Sequence, residues 1–107
     1  MIDFSKLITA EVKVEQAAKA ARQAWKQERA EAVKNIKVTT TAGNTFDGDE
    51  ESQTRMARAV VALDAVGPEA AVTWVLADNS VIQASAAELR EALALAGAEQ
   101  ARLWIYA

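Results

Sequence analysis

The chain has 107 residues, room for one ordinary domain and too few for two. It holds no cysteine and no histidine, which excludes disulfides, thiol nucleophiles, Ser-His and Cys-His relays and the common zinc sites. Twelve Lys and Arg stand against 15 Asp and Glu, for a net charge of −3 and a pI near 4.9, which argues against affinity built on neutralising phosphates.

The first element is predicted over Thr9–Lys34, a run without Gly or Pro made largely of Ala, Glu, Lys, Gln and Arg. Thr9 stands where an N-cap is expected, Glu11 in the first turn and Lys34 near the C-terminal end of the dipole. The apolar positions Val14, Ala17, Ala18, Ala21, Ala24, Trp25, Ala32 and Val33 follow helical spacing, with a gap at Glu28 that breaks heptad continuity. A narrow alanine face buries little area but admits close approach of another helix.

After Lys34 the period changes from 3.6 to 2, with Ile36 and Val38 alternating with Lys37 and Thr39. Ala42-Gly43-Asn44 then interrupts the run before Thr45-Phe46, so a short hairpin is expected. Asp47 with Glu50 three residues on has the pattern of a capping box. Met56, Ala59, Val60, Leu63 and Val66 give the next helix its stripe, and Gly67-Pro68 ends it.

Val72–Leu76 is rich in β-formers, and Ala77-Asp78-Asn79-Ser80 is turn chemistry leading into Val81–Ala84, a second hairpin in which Trp74 shares the inward face with Val72 and Leu76. Ser85 is expected to cap a third helix with Glu88 at its N3 position, running through Gly97 to about Ile105 with Trp104 anchoring its end. The fold class is therefore α+β: a helical extension over residues 1–34, then a small domain over residues 35–107 in which an antiparallel sheet of two hairpins packs on helices. Alanine supplies 25 of the 55 apolar residues, so the core is thin, and a folded chain of this size withdraws only roughly 65% of its unfolded surface from water.

The one concentration of carboxylates is Asp47, Asp49, Glu50 and Glu51. A calcium loop opening at Asp47 fails, because its sixth position is Ser52 rather than Gly and its twelfth Arg58 rather than Glu. Acidic residues in a first helical turn are explained by the dipole. Ser52 and Thr54 have no evident base to activate them, and Gly43 and Gly48 belong to no phosphate-binding pattern. Lys26, Arg29 and Lys34 alternate with Glu28 and Glu31 as a mixed-charge face. No catalytic, cofactor or metal residue is assigned. No stretch approaches the roughly 20 apolar residues of a bilayer span, and Met1-Ile2-Asp3-Phe4 lacks a basic leader start. The residues singled out as partner-binding are Ala17, Ala18, Ala21 and Trp25, since one large ring on an alanine face protrudes unless something covers it.

From Phe46 to Trp104, the runs FDGDEESQTRMARAVVAL, VTWVLADNSVIQASAAELREALALAG and EQARLW resemble an uncharacterised domain family of tailed bacteriophages, found as small standalone proteins and as C-terminal modules of tail-fibre and tail-fibre-assembly proteins. The residues that carry the resemblance are Phe46, Asp47, Asp49, Ser52, Arg55, Trp74, Asp78, Asn79, Leu89 and Trp104. With Ile36-Lys37-Val38 and Gly43 it reaches nearly two thirds of the chain and leaves out the first helix. It implies a phage tail setting and no activity. The expected function is thus a non-enzymatic, tail-fibre-associated structural or assembly factor acting through protein contacts in the host cytoplasm or the virion tail. Its partner is a tail component or a second copy of the chain, bound through the first helix, and neither nucleic acid nor membrane. The alternative is a small acidic inhibitor of a host defence or host enzyme, presenting Glu50 and Glu51 to a basic site.

Overall fold

The computed structural model describes the backbone of residues 4–106 and the side chains of residues 13–105. The element order is α1 (Phe4–Lys34), β1 (Lys37–Thr39), β2 (Thr45–Asp47), α2 (Glu50–Val66), β3 (Ala71–Val75), β4 (Val81–Ser85) and α3 (Ala86–Tyr106). The α+β class and the long first helix agree with the sequence pattern. Helix α1 begins five residues before Thr9, which therefore lies inside the helix and is not its cap. Nothing between Phe4 and Ile8 breaks a helix, so the good formers that follow extend it backwards.

The hairpins form two separate two-stranded antiparallel sheets, with Val38 opposite Phe46 in one and Trp74 opposite Ile82 in the other. A backbone bond from the Ala77 N–H to the Thr45 carbonyl at 3.0 Å ties the first hairpin to the turn of the second. Gly43 takes φ +90° in the first turn, a conformation that costs glycine little. In the second, the Asp78 carboxylate accepts from the Ser80 N–H at 2.9 Å and its hydroxyl at 2.5 Å, so the turn is stapled on itself.

Asp47 does not cap α2 as its spacing with Glu50 suggests. It pairs with Lys37 as the last residue of β2, and the next amide, Gly48, donates to the Ile36 carbonyl at 2.8 Å, so the ladder holds the chain extended past it. Asp49 is the N-cap, and its carboxylate accepts from the Ser52 hydroxyl instead of a backbone amide. Ser85 does cap α3: its Oγ accepts from the Glu88 N–H at 3.2 Å. The Glu88 carboxylate completes no box; it accepts from Asn44 Nδ2 at 2.7 Å and pins the first turn onto α3.

The core lies where α2 and α3 pack on each other and on the hairpins. Phe46, Met56 and Leu89 are fully buried, surrounded by Ile36, Val38, Leu63, Leu76 and the small residues Ala84, Ala92 and Ala96. Three alanines at these contacts bring backbones together at little gain in buried area. Trp74 is half-buried: it packs against the core beside Val72 and Leu76, on the face expected, but is not enclosed. Helix α1 contributes Val33 from its last turn, whereas every residue from Lys13 to Glu28 is exposed. The radius of gyration is 21.8 Å and the long axis 82 Å, against roughly 13 Å for a compact domain of this length. The helix is an arm.

Candidate interaction surface

Where α1 meets the body, Arg29 lies between two tryptophans. Its guanidinium carbon is 4.4 Å from the centre of the Trp25 ring, one turn back on the same helix, and 3.7 Å from that of Trp104 near the end of α3. Arg29 is half-buried, Trp25 is 40% exposed and Trp104 53%. Each contact is a cation–π attraction of about 0.5–1 kcal/mol at an exposed site. Trp104 thus does not anchor α3 by burial as its sequence position suggests. Leu103 packs against the core beside it, while the Trp104 ring projects and serves as a platform for Arg29.

Of the four residues singled out for partner binding, the structure brings Trp25 to the body through Arg29 and leaves Ala17, Ala18 and Ala21 exposed along the arm. Arg29 is the residue missed. Its one signal is the Trp-x-x-x-Arg spacing, which sets the two side chains on one face of a helix.

Beside the stack is a groove of about 350 Å³. Its floor is apolar, made of Ala30, Val33 and Trp104, one side is rimmed by Asp49, Glu50 and Glu51 at the start of α2, and Lys34, 3.5 Å from Glu31, lines the α1 side. Two of those carboxylates are loosely engaged: Glu51 pairs with Arg55 at 2.7 Å and Glu50 accepts from Gln100 Nε2 at 2.8 Å, all on the surface. Across Trp104, a second depression of about 420 Å³ is bounded by Gly97, Gln100 and Ile105. A third cleft, about 380 Å³ between the hairpins, is lined by Lys37, Asn44 and Asp78 among others.

Three surface carboxylates are held in the charged form. Asp78 is held below its ordinary value by the Ser80 hydroxyl and amide, Glu91 by the Thr41 amide and hydroxyl, and Glu99 by Arg102, each stabilised in the charged form. Among the described residues, no three Asp or Glu converge to hold a metal ion. Nor is any described helix long and apolar enough to cross a membrane.

Charge is unevenly divided. Residues 4–34 carry seven Lys and Arg against four Glu, a net +3, while residues 35–107 carry five against ten Asp and Glu, a net −5. A basic arm therefore projects from an acidic body.

The fold is thus a small α+β domain with a projecting helix. The chain belongs to the family described as a domain of unknown function, DUF4376, which it matches over residues 11–105. The match takes in most of α1 and so extends beyond the Phe46–Trp104 segment that carries the resemblance. No curated protein and no solved structure matches the chain.

Proposed function

We propose that the protein is a non-enzymatic interaction module of tailed bacteriophages, a structural or assembly factor of the tail fibre that works through α1. The carrying observation is the arm: sixteen consecutive residues, Lys13–Glu28, stand exposed as helix with an apolar stripe and no cover from the body. Trp25 meets the body through Arg29 and Trp104, and α1 enters the core only at Val33. The phage setting rests on the resemblance of the Phe46–Trp104 segment to domains of tail-fibre proteins. It acts in the host cytoplasm during assembly, or stays in the finished tail, with a protein as partner and neither nucleic acid nor membrane.

The test is capture from infected cells with the tagged full chain, alongside a Trp25→Ala and Ala21→Glu double variant. The expected result is recovery of a tail-fibre polypeptide that the variant loses. Equal recovery by both would remove α1 from the role. A second reading has one observation in its favour, the −5 charge of residues 35–107: as an inhibitor the body would occupy a basic host site. Capture of a host enzyme, abolished by Glu50→Gln with Glu51→Gln, would select it.

A further inference from the structure

The groove beside Trp104 and the arm carry complementary chemistry. One face of the Trp104 ring is covered by Arg29 at 3.7 Å, and the ring also borders the groove with Ala30 and Val33. An occupant needs an apolar surface for this floor and cations for the Asp49, Glu50 and Glu51 rim, whose three carboxylates outnumber the one lining cation, Lys34, itself 3.5 Å from Glu31.

The arm has both. At 100° per residue, Lys19, Arg22 and Lys26 fall within about 60° of arc, and Val14, Ala18, Ala21 and Trp25 fall within another 60°, about a quarter-turn away. All seven side chains are exposed, and none of the three cations takes part in an ion pair among the described residues. The arm cannot serve its own groove. It leaves the body at Ala30 as continuous helix, and no Gly or Pro from Phe4 to Lys34 lets it fold back. A second copy can.

We propose that the chain self-associates as a two-fold dimer in which the arm of each copy lies in the Trp104 groove of the other, its Lys19, Arg22 and Lys26 row against the Asp49, Glu50 and Glu51 rim. This rests on the reading of α1 as the associating element. The groove sits at the C-terminal end of α1 and the basic row 7 to 14 residues ahead of Val33. For each arm to reach the other's groove the two helices run antiparallel, and the axis falls near Gln27 and Glu28. The contact is isologous, so every pairing occurs twice. A bare arm-to-arm coil would bury one Val, two Ala and one Trp per chain, a small part of a stable interface, whereas the exchanged arrangement adds both grooves. It also sets the net +3 arm of one copy on the net −5 body of the other.

The experiment is the solution mass of the full chain across concentration, by light scattering and sedimentation. The wild type is expected at twice its 11.5 kDa chain mass, dissociating at least tenfold more readily when salt is raised from about 0.1 to 1 M, where the screening length drops from ~10 to ~3 Å. Lys19→Glu with Arg22→Glu and Lys26→Glu is expected to be monomeric, as is Glu50→Lys with Glu51→Lys, and the two mixed should recover the two-chain mass. If the lysines unfold α2, Glu50→Gln with Glu51→Gln replaces them, with at least tenfold weaker association expected. A body variant still as tight a dimer as wild type would mean arm pairing without the groove and overturn the proposal. A wild-type monomer at every concentration would also overturn it, including one that shifts a labelled duplex, which would give the basic row to nucleic acid. Capture of the tail-fibre polypeptide is scored separately, so loss of the dimer leaves the tail assignment to its own test.

Discussion

Gly48 and Gly97 should respond to the same substitution with opposite signs. Gly48 is buried where the chain passes from β2 to the α2 cap, and a Cβ built on it lies 2.6 Å from Ile36 Cγ2 and 3.0 Å from Ala96 Cβ. Its backbone is not free to withdraw, because its N–H donates to the Ile36 carbonyl at 2.8 Å and its carbonyl accepts from Gln53 Nε2 at 2.9 Å. Gly48→Ala therefore overpacks a tight contact, at a cost of about 1–3 kcal/mol. At an unfolding entropy of roughly 2.1 cal/mol/K per residue, each kcal/mol shifts Tm by about 4–5 °C in a chain of this length, so a fall of about 4–13 °C is expected. Gly97 lies inside α3 with no heavy atom within 4 Å of the built Cβ. Gly97→Ala relieves the helix-propensity deficit of glycine, about 0.8–1.0 kcal/mol, and raises Tm by about 3–5 °C. Thermal unfolding followed by far-ultraviolet circular dichroism reads both. Equal Tm for Gly48→Ala and wild type would refute the close packing of β2, Ile36 and α3, and a fall for Gly97→Ala would refute the open helix face.

Other consequences are as direct. Arg29→Gln removes two cation–π contacts of about 0.5–1 kcal/mol each, so the Trp25 and Trp104 emission should shift and amide exchange over residues 25–30 should quicken several-fold; unchanged exchange would show that the stack does not hold the arm. The Glu91 carboxylate accepts from the Thr41 N–H at 2.8 Å and 3.0 Å and from its hydroxyl, which holds its pKa below the ordinary 4.5. The unfolded chain then binds this proton more readily, so the clip's stabilisation is complete above about pH 4.5 and fades as pH falls through the lower native value. Glu91→Gln should flatten that acid limb of the stability curve, and a superimposable limb would deny the clip any part in it. A chain begun at Ala30 keeps Val33 and should melt as a single cooperative transition with no dimer, as checked by calorimetry and light scattering; a chain that fails to fold would make the arm structural.

The elements most legible in the sequence are those where local signals and tertiary demands agree. Ser85 with Glu88 announces the start of α3, and the structure uses the Ser85 hydroxyl in that way. Alternation at Ile36–Thr39 gives the first strand because its inward side chains, Ile36 and Val38, have a core to enter. Asp47 misleads because two local preferences compete, and the strand pairing with Lys37, a contact ten residues distant, outranks the capping spacing. The surface is harder to read. Trp25 and Arg29 are one turn apart and visible as a pair, but Trp104 joins them only after α2 and the hairpins have brought the end of α3 to α1. The groove likewise gathers residues from α1, α2 and α3, and no window of sequence contains all three.

The arm also behaves as a helix–coil system of its own. From Lys13 to Glu28 its hydrogen bonds are sheltered by no neighbouring element, and isolated helices of this length are marginal in water even when rich in alanine. Nucleation is supplied by the docked turn at Val33, so between Lys13 and Glu28 the turns farthest from Val33 are the first to open. Warming shortens the rod before the body melts, and any partner that needs its outer turns loses them first. Binding strength at a given temperature then depends on alanines that touch nothing: Ala20→Gly, on the exposed arm, withdraws roughly 1 kcal/mol of helix propensity, weakening capture while every contacting side chain stays in place.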